Sequence, residues 1–168
     1  KLTILVNNAG GGGPKPFDMP MNDFERAFQL NLFSVFRMSQ LCAPHMKPAG
    51  GGAIINISSM AGQNKNKRMC SYGASKAAVD HLTRNMAFDL GQDTIRVNAI
   101  APGAIRTAAL ETVLKPDVEA AMLKHTPLGR LGEGSDIAAA AVYLASPASS
   151  WVSGQVLTVS GGGVQELD

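Results

Sequence analysis

The chain has 168 residues, of which 45% are hydrophobic and 17% charged, and its formal net charge is only +2. This composition predicts one domain with a buried core and argues against a disordered chain or a nucleic-acid-binding protein. The sequence shows no apolar run of about 18 residues and no leader pattern, so we expect a cytoplasmic protein outside the membrane. The 3 histidines are far apart and the 2 cysteines lack a metal-binding spacing, so no metal site is predicted.

Four apolar runs predict strands, in chain order "LTILV", "GGAIINISS", "IRVNAIAPG" and "GQVLTVSGG", and glycine or proline lies at an end of the last three. The first is apolar on both faces, which is typical of an interior strand of a parallel sheet. Helical patterns lie between the strands, over "MNDFERAFQLNLFSVFRMSQLCAPHM", over 72–90, in two short pieces within 104–128, and over "SDIAAAAVYLAS". The alternation predicts an α/β fold with a parallel sheet, helices on both faces and a single domain over residues 1–168.

The predicted helices carry recognisable end signals. We expect Asn22 or Asp23 to cap the first helix, since short polar side chains accept hydrogen bonds from free backbone N–H groups. We expect Gly91 to end the helix over 72–90 and Ser135 to begin the last helix.

Three polar, glycine-rich segments follow predicted strands, at 7–13, 58–62 and 102–107. Each could be a simple tight turn. Ligands of open parallel sheets, however, bind at the carboxyl ends of the strands, where these segments would meet. Tyr72 begins the helix after the second segment, and Lys76 lies one helical turn further on the same face. The pair could be two surface side chains or a proton-transfer pair at this edge.

The chemistry that this set of residues would serve is hydride transfer to or from a carbonyl carbon. The reaction needs a proton donor or acceptor at the substrate oxygen and a polarising hydrogen bond. A free phenol has a pKa of about 10, and a neighbouring ammonium lowers that pKa by favouring the phenolate. Tyr72 and Lys76 meet this need, and either Ser58 or Ser59 could hold the substrate oxygen.

The motifs "NNAG" at 7–10, Asn31, "ISS" at 57–59, "YGASK" at 72–76 and "PGAIRT" at 102–107 resemble those of the short-chain dehydrogenase/reductase family. The resemblance covers the whole chain. It implies the C-terminal portion of a Rossmann-like fold, with about four strands and flanking helices. It also favours Ser59 over Ser58, because Ser59 has the family's usual spacing from the tyrosine.

The resemblance implies a role for each matching residue. Tyr72 is the general acid/base, Lys76 lowers its pKa and binds the nicotinamide ribose, Ser59 positions the substrate oxygen, and Asn31 holds a water linked to Lys76. The remaining matches are expected to bind the cofactor, NAD with NADP not excluded, through Asn8, Ala9, Gly10, Pro102, Gly103, Ile105 and Thr107.

Within the family, stretches such as "RNMAFDLG" and "SWVSGQVLTVSGGGVQEL" resemble bacterial hydroxysteroid dehydrogenases. The implied activity is oxidation of the 7α-hydroxyl of bile acids or steroids, by a homo-oligomer that is a dimer or tetramer. The apolar region 104–128 is then expected to be a substrate lid, and its alternative is helices that pack only on their own core. A generic carbonyl or 3-oxoacyl reductase is the alternative activity.

One part of the family pattern has no counterpart in these 168 residues. The Thr-Gly-x-x-x-Gly-x-Gly turn that binds the pyrophosphate, and the residue that selects NAD or NADP, do not occur. We therefore expect weak cofactor binding and self-association through residues 2–6. A catalytically inert fragment that folds and self-associates is the remaining alternative.

Overall fold

The structure, a computed structural model, describes residues 1–163. Its sheet has four strands in the order β1-β2-β3-β4, all parallel. Their bounds are Ile4–Asn7, Gly52–Ile57, Ile95–Pro102 and Val156–Val159. The predicted parallel α/β fold is confirmed. Residues 164–168 of the predicted domain, with the end of the motif "SGGGVQEL", lie outside the described residues.

Helices cover both faces of the sheet, as predicted. Their bounds are α1 Met21–Phe28, α2 Ser34–Met46, α3 Cys70–Leu90, α4 Ala108–Glu111, α5 Pro116–Leu123 and α6 Gly134–Ala145. Side chains alternate between the faces of the central strands, so Ile54 packs with α2 and α3 while Ile55 packs with Leu144 of α6. Region 104–128 forms two short helices, and Pro116 starts the second.

The first predicted helix is not continuous. A π-helical turn, Gln29–Phe33, separates α1 from α2 and contains the fully buried Asn31. Such turns insert one extra residue into the helical repeat and are frequent at functional sites. The sequence pattern predicted a single helix because apolar residues recur at helical spacing both before and after this turn.

Two predicted helix caps are wrong. Asn22 and Asp23 do not cap α1, because the helix already begins at Met21, after Pro20, and both residues lie within its first turn. Ser135 lies inside α6, whose start is closed by the reciprocal hydrogen bonds of Glu133 and Asp136.

Gly91 ends α3 as predicted, but without a left-handed turn, since its φ is −60°. The left-handed residue lies three positions later, where Thr94 has a φ of 59° after a short 3₁₀ turn.

β1 is the outermost strand of the described sheet rather than an interior one. Within residues 1–163 it pairs with β2 alone, and Ile4 and Val6 are 48% and 46% exposed. An apolar, uncharged strand edge favours pairing with another chain. The apolar pattern is typical of an interior strand, but in the described sheet β1 lies at the edge, as the expected self-association through residues 2–6 requires.

We expect the 168-residue chain to self-associate through this edge, and Val6→Lys to reduce the association, because a lysine on an edge strand opposes pairing. Light scattering at micromolar concentration measures the mean mass of both proteins. Val142→Lys, at a 68% exposed position on α6, is the matched control and should leave the mass unchanged. A stable monomer of the unsubstituted chain would contradict the expectation.

Candidate active site

A cavity of about 390 Å³ opens at the carboxyl end of the sheet. Ser59, from the turn after β2, and Tyr72, from the first turn of α3, both lie in its wall. Much of the remaining wall is apolar and includes Met60, Pro102 and Met122. The structure therefore brings the predicted serine and tyrosine together in one apolar cleft.

Lys76 lies behind Tyr72 and is only 3% exposed. Its Nζ donates a hydrogen bond to the backbone oxygen of Ile57 at 2.7 Å and lies 5.9 Å from the centre of the Tyr72 ring. Burial lowers the pKa of Lys76 from 10.5 to about 8, and the nearby Asp80 opposes this change. The tyrosine thus has a partly desolvated cation one helical turn away.

The two candidate serines are separated by the alternation of the extended chain. Ser58 is buried, and its hydroxyl donates to the backbone oxygen of Lys76 at 3.2 Å. Ser59 lies on the cavity side, where its Oγ accepts a hydrogen bond from the N–H of Ala61 at 3.1 Å. The hydroxyl of Ser59 remains available as a donor, which a substrate oxygen requires.

Asn31 lies outside the cavity wall and holds the loop after β1. Its Oδ1 accepts from Gly11 N at 2.9 Å, and its Nδ2 donates to Gly11 O at 3.0 Å and to Ser75 Oγ at 3.0 Å. Both faces of the amide are therefore used to join the π-helical turn, the glycine loop and α3. The predicted link through water from Asn31 to Lys76 stays a prediction.

The loop after β1 passes close to the tyrosine and the lysine. Asn8, Ala9 and Gly10 are exposed at this edge. A Cβ at Gly10 would lie 3.1 Å from Lys76 Nζ, and one at Gly12 would lie 2.6 Å from Tyr72 Cδ2. The absence of side chains at these glycines keeps the backbone against the site.

The cofactor-binding residues predicted from "PGAIRT" lie in three different parts of the structure. Pro102 and Gly103 line the cavity with Tyr72. Ile105 lies in the wall of a neighbouring cavity of about 100 Å³. Thr107 caps α4, where its Oγ1 accepts from Leu110 N at 3.1 Å. Only the first two therefore share the cleft of the serine and tyrosine.

Sequence reasoning missed several polar residues of the cavity, among them Asn64 and His125. Asn64 lies in its wall, and its Oδ1 is buried without a hydrogen-bond partner in the described part of the chain. His125 follows α5 and also lies in the wall of this cavity. Neither residue belongs to a recognisable motif, so only their positions in space associate them with Tyr72.

Comparison with known proteins identifies the family of the chain. A family model described as "Enoyl-(Acyl carrier protein) reductase" matches residues 1–163. The chain is also 67% identical over its 168 residues to the 7α-hydroxysteroid dehydrogenase of Escherichia coli K12. The chain belongs to the short-chain dehydrogenase/reductase family. It spans about two thirds of that relative's length, since the match covers 100% of the chain and 66% of the relative.

Other members of the short-chain dehydrogenase/reductase family are also similar to the chain, in sequence and in structure. A 3α-hydroxysteroid dehydrogenase of Mediterraneibacter gnavus is 46% identical over 165 residues, covering 95% of the chain and 64% of the relative. A solved 7α-hydroxysteroid dehydrogenase, in complex with NADH and 7-oxo glycochenodeoxycholic acid, superposes with a TM-score of 0.95 at 67% identity. That match covers 100% of this chain and 66% of the solved one.

Neither a metal-ligand cluster nor a membrane-spanning helix occurs within residues 1–163. No group of three or more histidine, cysteine, aspartate or glutamate side chains in this range is arranged as metal ligands. None of its helices combines the length and apolar character needed to span a bilayer.

Proposed function

We propose that this chain carries the active site of an NAD-dependent oxidoreductase that oxidises the 7α-hydroxyl group of bile acids. The observation that supports the proposal is the cavity of about 390 Å³ in which Ser59 and Tyr72 meet, with Lys76 buried behind the tyrosine. The 67% identity to a 7α-hydroxysteroid dehydrogenase supports the choice of substrate.

The residues beside Tyr72 and Lys76 fit a nicotinamide cofactor. A Cβ at Gly12 would collide with the Tyr72 ring and one at Gly10 would be in tight contact with Lys76 Nζ, so these two glycines leave the space beside the pair free of side chains. Asn8, Ala9 and Gly10 are proposed to line one part of the cofactor, and Pro102, Gly103, Ile105 and Thr107 another. When bound, the nicotinamide accepts the hydride that leaves the substrate carbon.

Tyr72 is proposed to accept the hydroxyl proton of the substrate as the general base. Lys76, whose Nζ lies 5.9 Å from the centre of the Tyr72 ring, is proposed to stabilise the charge that develops on the tyrosine during this proton transfer. Ser59 donates a hydrogen bond to the same substrate oxygen and so holds it at the tyrosine. The Asn31 amide keeps the Gly11 backbone and α3 in place around the reacting groups.

The mostly apolar walls of the cavity are consistent with a flat apolar substrate that has few polar groups. Met60, Met69 and Met122 provide adaptable apolar contact. We propose that the segment 104–128 closes over the substrate as a lid.

We expect the chain to reduce NAD in the presence of a 7α-hydroxy bile acid and not with an epimer that has a 7β-hydroxyl. The hydroxyl of the epimer points away from Ser59 and Tyr72 when the flat ring system keeps its position. Formation of NADH, followed by the absorbance of the reduced cofactor, is the measurement.

The substrate comparison also distinguishes the alternatives. Reduction of small ketones or 3-oxoacyl thioesters with NADPH, without bile-acid oxidation, would replace the proposal by a generic carbonyl reductase. Absence of turnover with every substrate, in a chain shown to be folded by circular dichroism, would support an inert fragment.

A further inference from the structure

The segment 107–125, which carries α4 and α5, forms one wall of the cavity without being packed into the core. Neither helix contains a buried residue, so no buried apolar side chain fixes its position. The end of this segment nevertheless contributes Ala121, Met122 and His125 to the cavity in which Tyr72 lies. The position of α5 therefore determines the shape of the proposed active site on this side.

Backbone hydrogen bonds anchor the chain on both sides of this segment. On the first side, Arg106 N donates to Gly132 O at 2.8 Å, and Gly132 N donates to Ala104 O at 2.9 Å. On the second side, Leu128 N donates to Gly161 O at 3.0 Å. In the described part of the chain, the backbone between these two anchors forms hydrogen bonds only with its own neighbours in sequence. The anchors therefore act as the fixed base of the proposed lid.

An ion pair joins α5 to the first of these anchors. Arg106 Nη2 donates to Glu119 Oε1 at 2.7 Å. Within residues 1–163, every other side-chain hydrogen bond of the segment 107–125 stays within one helical turn. On its other side, Arg106 Nε lies 3.7 Å from Oε1 of Glu133, which caps α6. The guanidinium therefore lies between a carboxylate of α5 and a carboxylate at the start of α6.

We propose that Arg106 is a positioning residue, whose ion pair with Glu119 holds α5 over the cavity and is released when the lid opens. Glu133 keeps the guanidinium beside the anchored base when Glu119 leaves. Arg106 does not line the cavity and takes no part in the chemical step. Its effect on substrate binding rests on the function proposed above, whereas its effect on the position of α5 does not.

The test is the amide hydrogen exchange of α5 in the 168-residue chain, measured by mass spectrometry on a peptide that contains 116–123. We expect Glu119→Gln to raise the exchange rate about two- to fivefold, the effect of an exposed ion pair of ordinary strength. Arg106→Met should raise the rate by a similar factor in the unsubstituted chain. It should have no further effect in a chain that already carries Glu119→Gln, because the two residues act through one contact.

Asp117 provides the matched control, since it is the other acidic residue in the first turn of α5. Asp117→Asn also removes a charge that favours the start of the helix, but it leaves the ion pair intact. Arg106→Met should therefore keep its full effect in the Asp117→Asn background. Equal effects of Arg106→Met in the Glu119→Gln and Asp117→Asn backgrounds would overturn the proposal.

The response to salt keeps the test valid if Arg106→Met does not fold. The two side chains are 36% and 32% exposed, so salt should screen their attraction. At about 1 M sodium chloride, where the Debye length is about 3 Å, the exchange of α5 should be faster in the unsubstituted chain but unchanged in Glu119→Gln. The same response to salt in both proteins would contradict the proposal.

The kinetics of an active chain provide a readout that a merely structural role would not give. Glu119→Gln should raise KM for the bile acid about two- to fivefold and leave kcat unchanged, because Ser59 and Tyr72 are untouched. A lower kcat at unchanged KM would contradict the positioning role. Lack of bile-acid turnover in the unsubstituted chain would contradict the proposed function alone, since hydrogen exchange still decides the role of Arg106.

Discussion

Replacement of Tyr72 by phenylalanine is expected to lower bile-acid oxidation by about 10²- to 10⁴-fold, the usual contribution of a positioned general base. The substitution removes one oxygen atom from the wall of the cavity and leaves the ring against Gly12 and Lys76. The loss should therefore appear in kcat, because the substrate still has its apolar contacts. The measurement is the rate of NADH formation at saturating substrate.

The chain contains 2 tyrosines, which provides a matched control for this experiment. Tyr143 lies on α6 and is 43% exposed. Tyr143→Phe removes the same hydroxyl group without affecting the cavity and should leave kcat unchanged. Equal activity of Tyr72→Phe and the unsubstituted chain would show that another group moves the proton.

The second large effect concerns stability and pH. Since the pKa of Lys76 is about 8 in the folded chain and has its ordinary value of 10.5 in the unfolded chain, the unfolded chain binds more protons between these values. The free energy of unfolding therefore rises as the pH increases from about 8 to 10.5, and the cost of the buried ammonium is fully present below pH 8. The rise is on the order of 3 kcal/mol, from about 1.36 kcal/mol for each unit of pKa.

Lys76→Met is expected to remove this rise while retaining a side chain of similar length. Urea unfolding at several pH values gives the free energy of unfolding for both proteins. Lys67→Met, at an exposed position, is the control for the titration of other groups and should keep the pH dependence of the unsubstituted chain. The prediction is wrong if Lys76→Met and Lys67→Met have the same slope above pH 8. At neutral pH, the loss of the hydrogen bond to Ile57 O partly offsets the gain from removing the charge.

Local patterns predicted most of the framework on which the site is built. Four apolar runs became the four parallel strands, and the spacing of Tyr72 and Lys76 placed both on one face of α3. Alternation along an extended chain explains why Ser59 reaches the cavity while the adjacent Ser58 is buried. These features depend on backbone geometry that repeats every two or about 3.6 residues.

The errors lie where the chain departs from a regular repeat. The π-helical turn that buries Asn31 is stabilised by hydrogen bonds to Gly11 and Ser75, which are distant in sequence. The sequence pattern predicts Ser135 as the cap of α6, whereas the side chains of Glu133 and Asp136 accept the hydrogen bonds of the free N–H groups reciprocally. Several residues were suitable caps, and the surrounding contacts decided between them.

The sequence by itself determined the fold class, the order of the strands along the chain and the pairing of a tyrosine with a lysine one turn away. The tertiary structure alone decided that Lys76 is buried and its pKa lowered, and that Asn64 and His125 line the cavity. Periodicity is a property of neighbouring residues and is written in the sequence. The desolvation of Lys76 and the meeting of side chains in one cavity depend on segments that are far apart in the chain. They therefore exist only once those segments pack together.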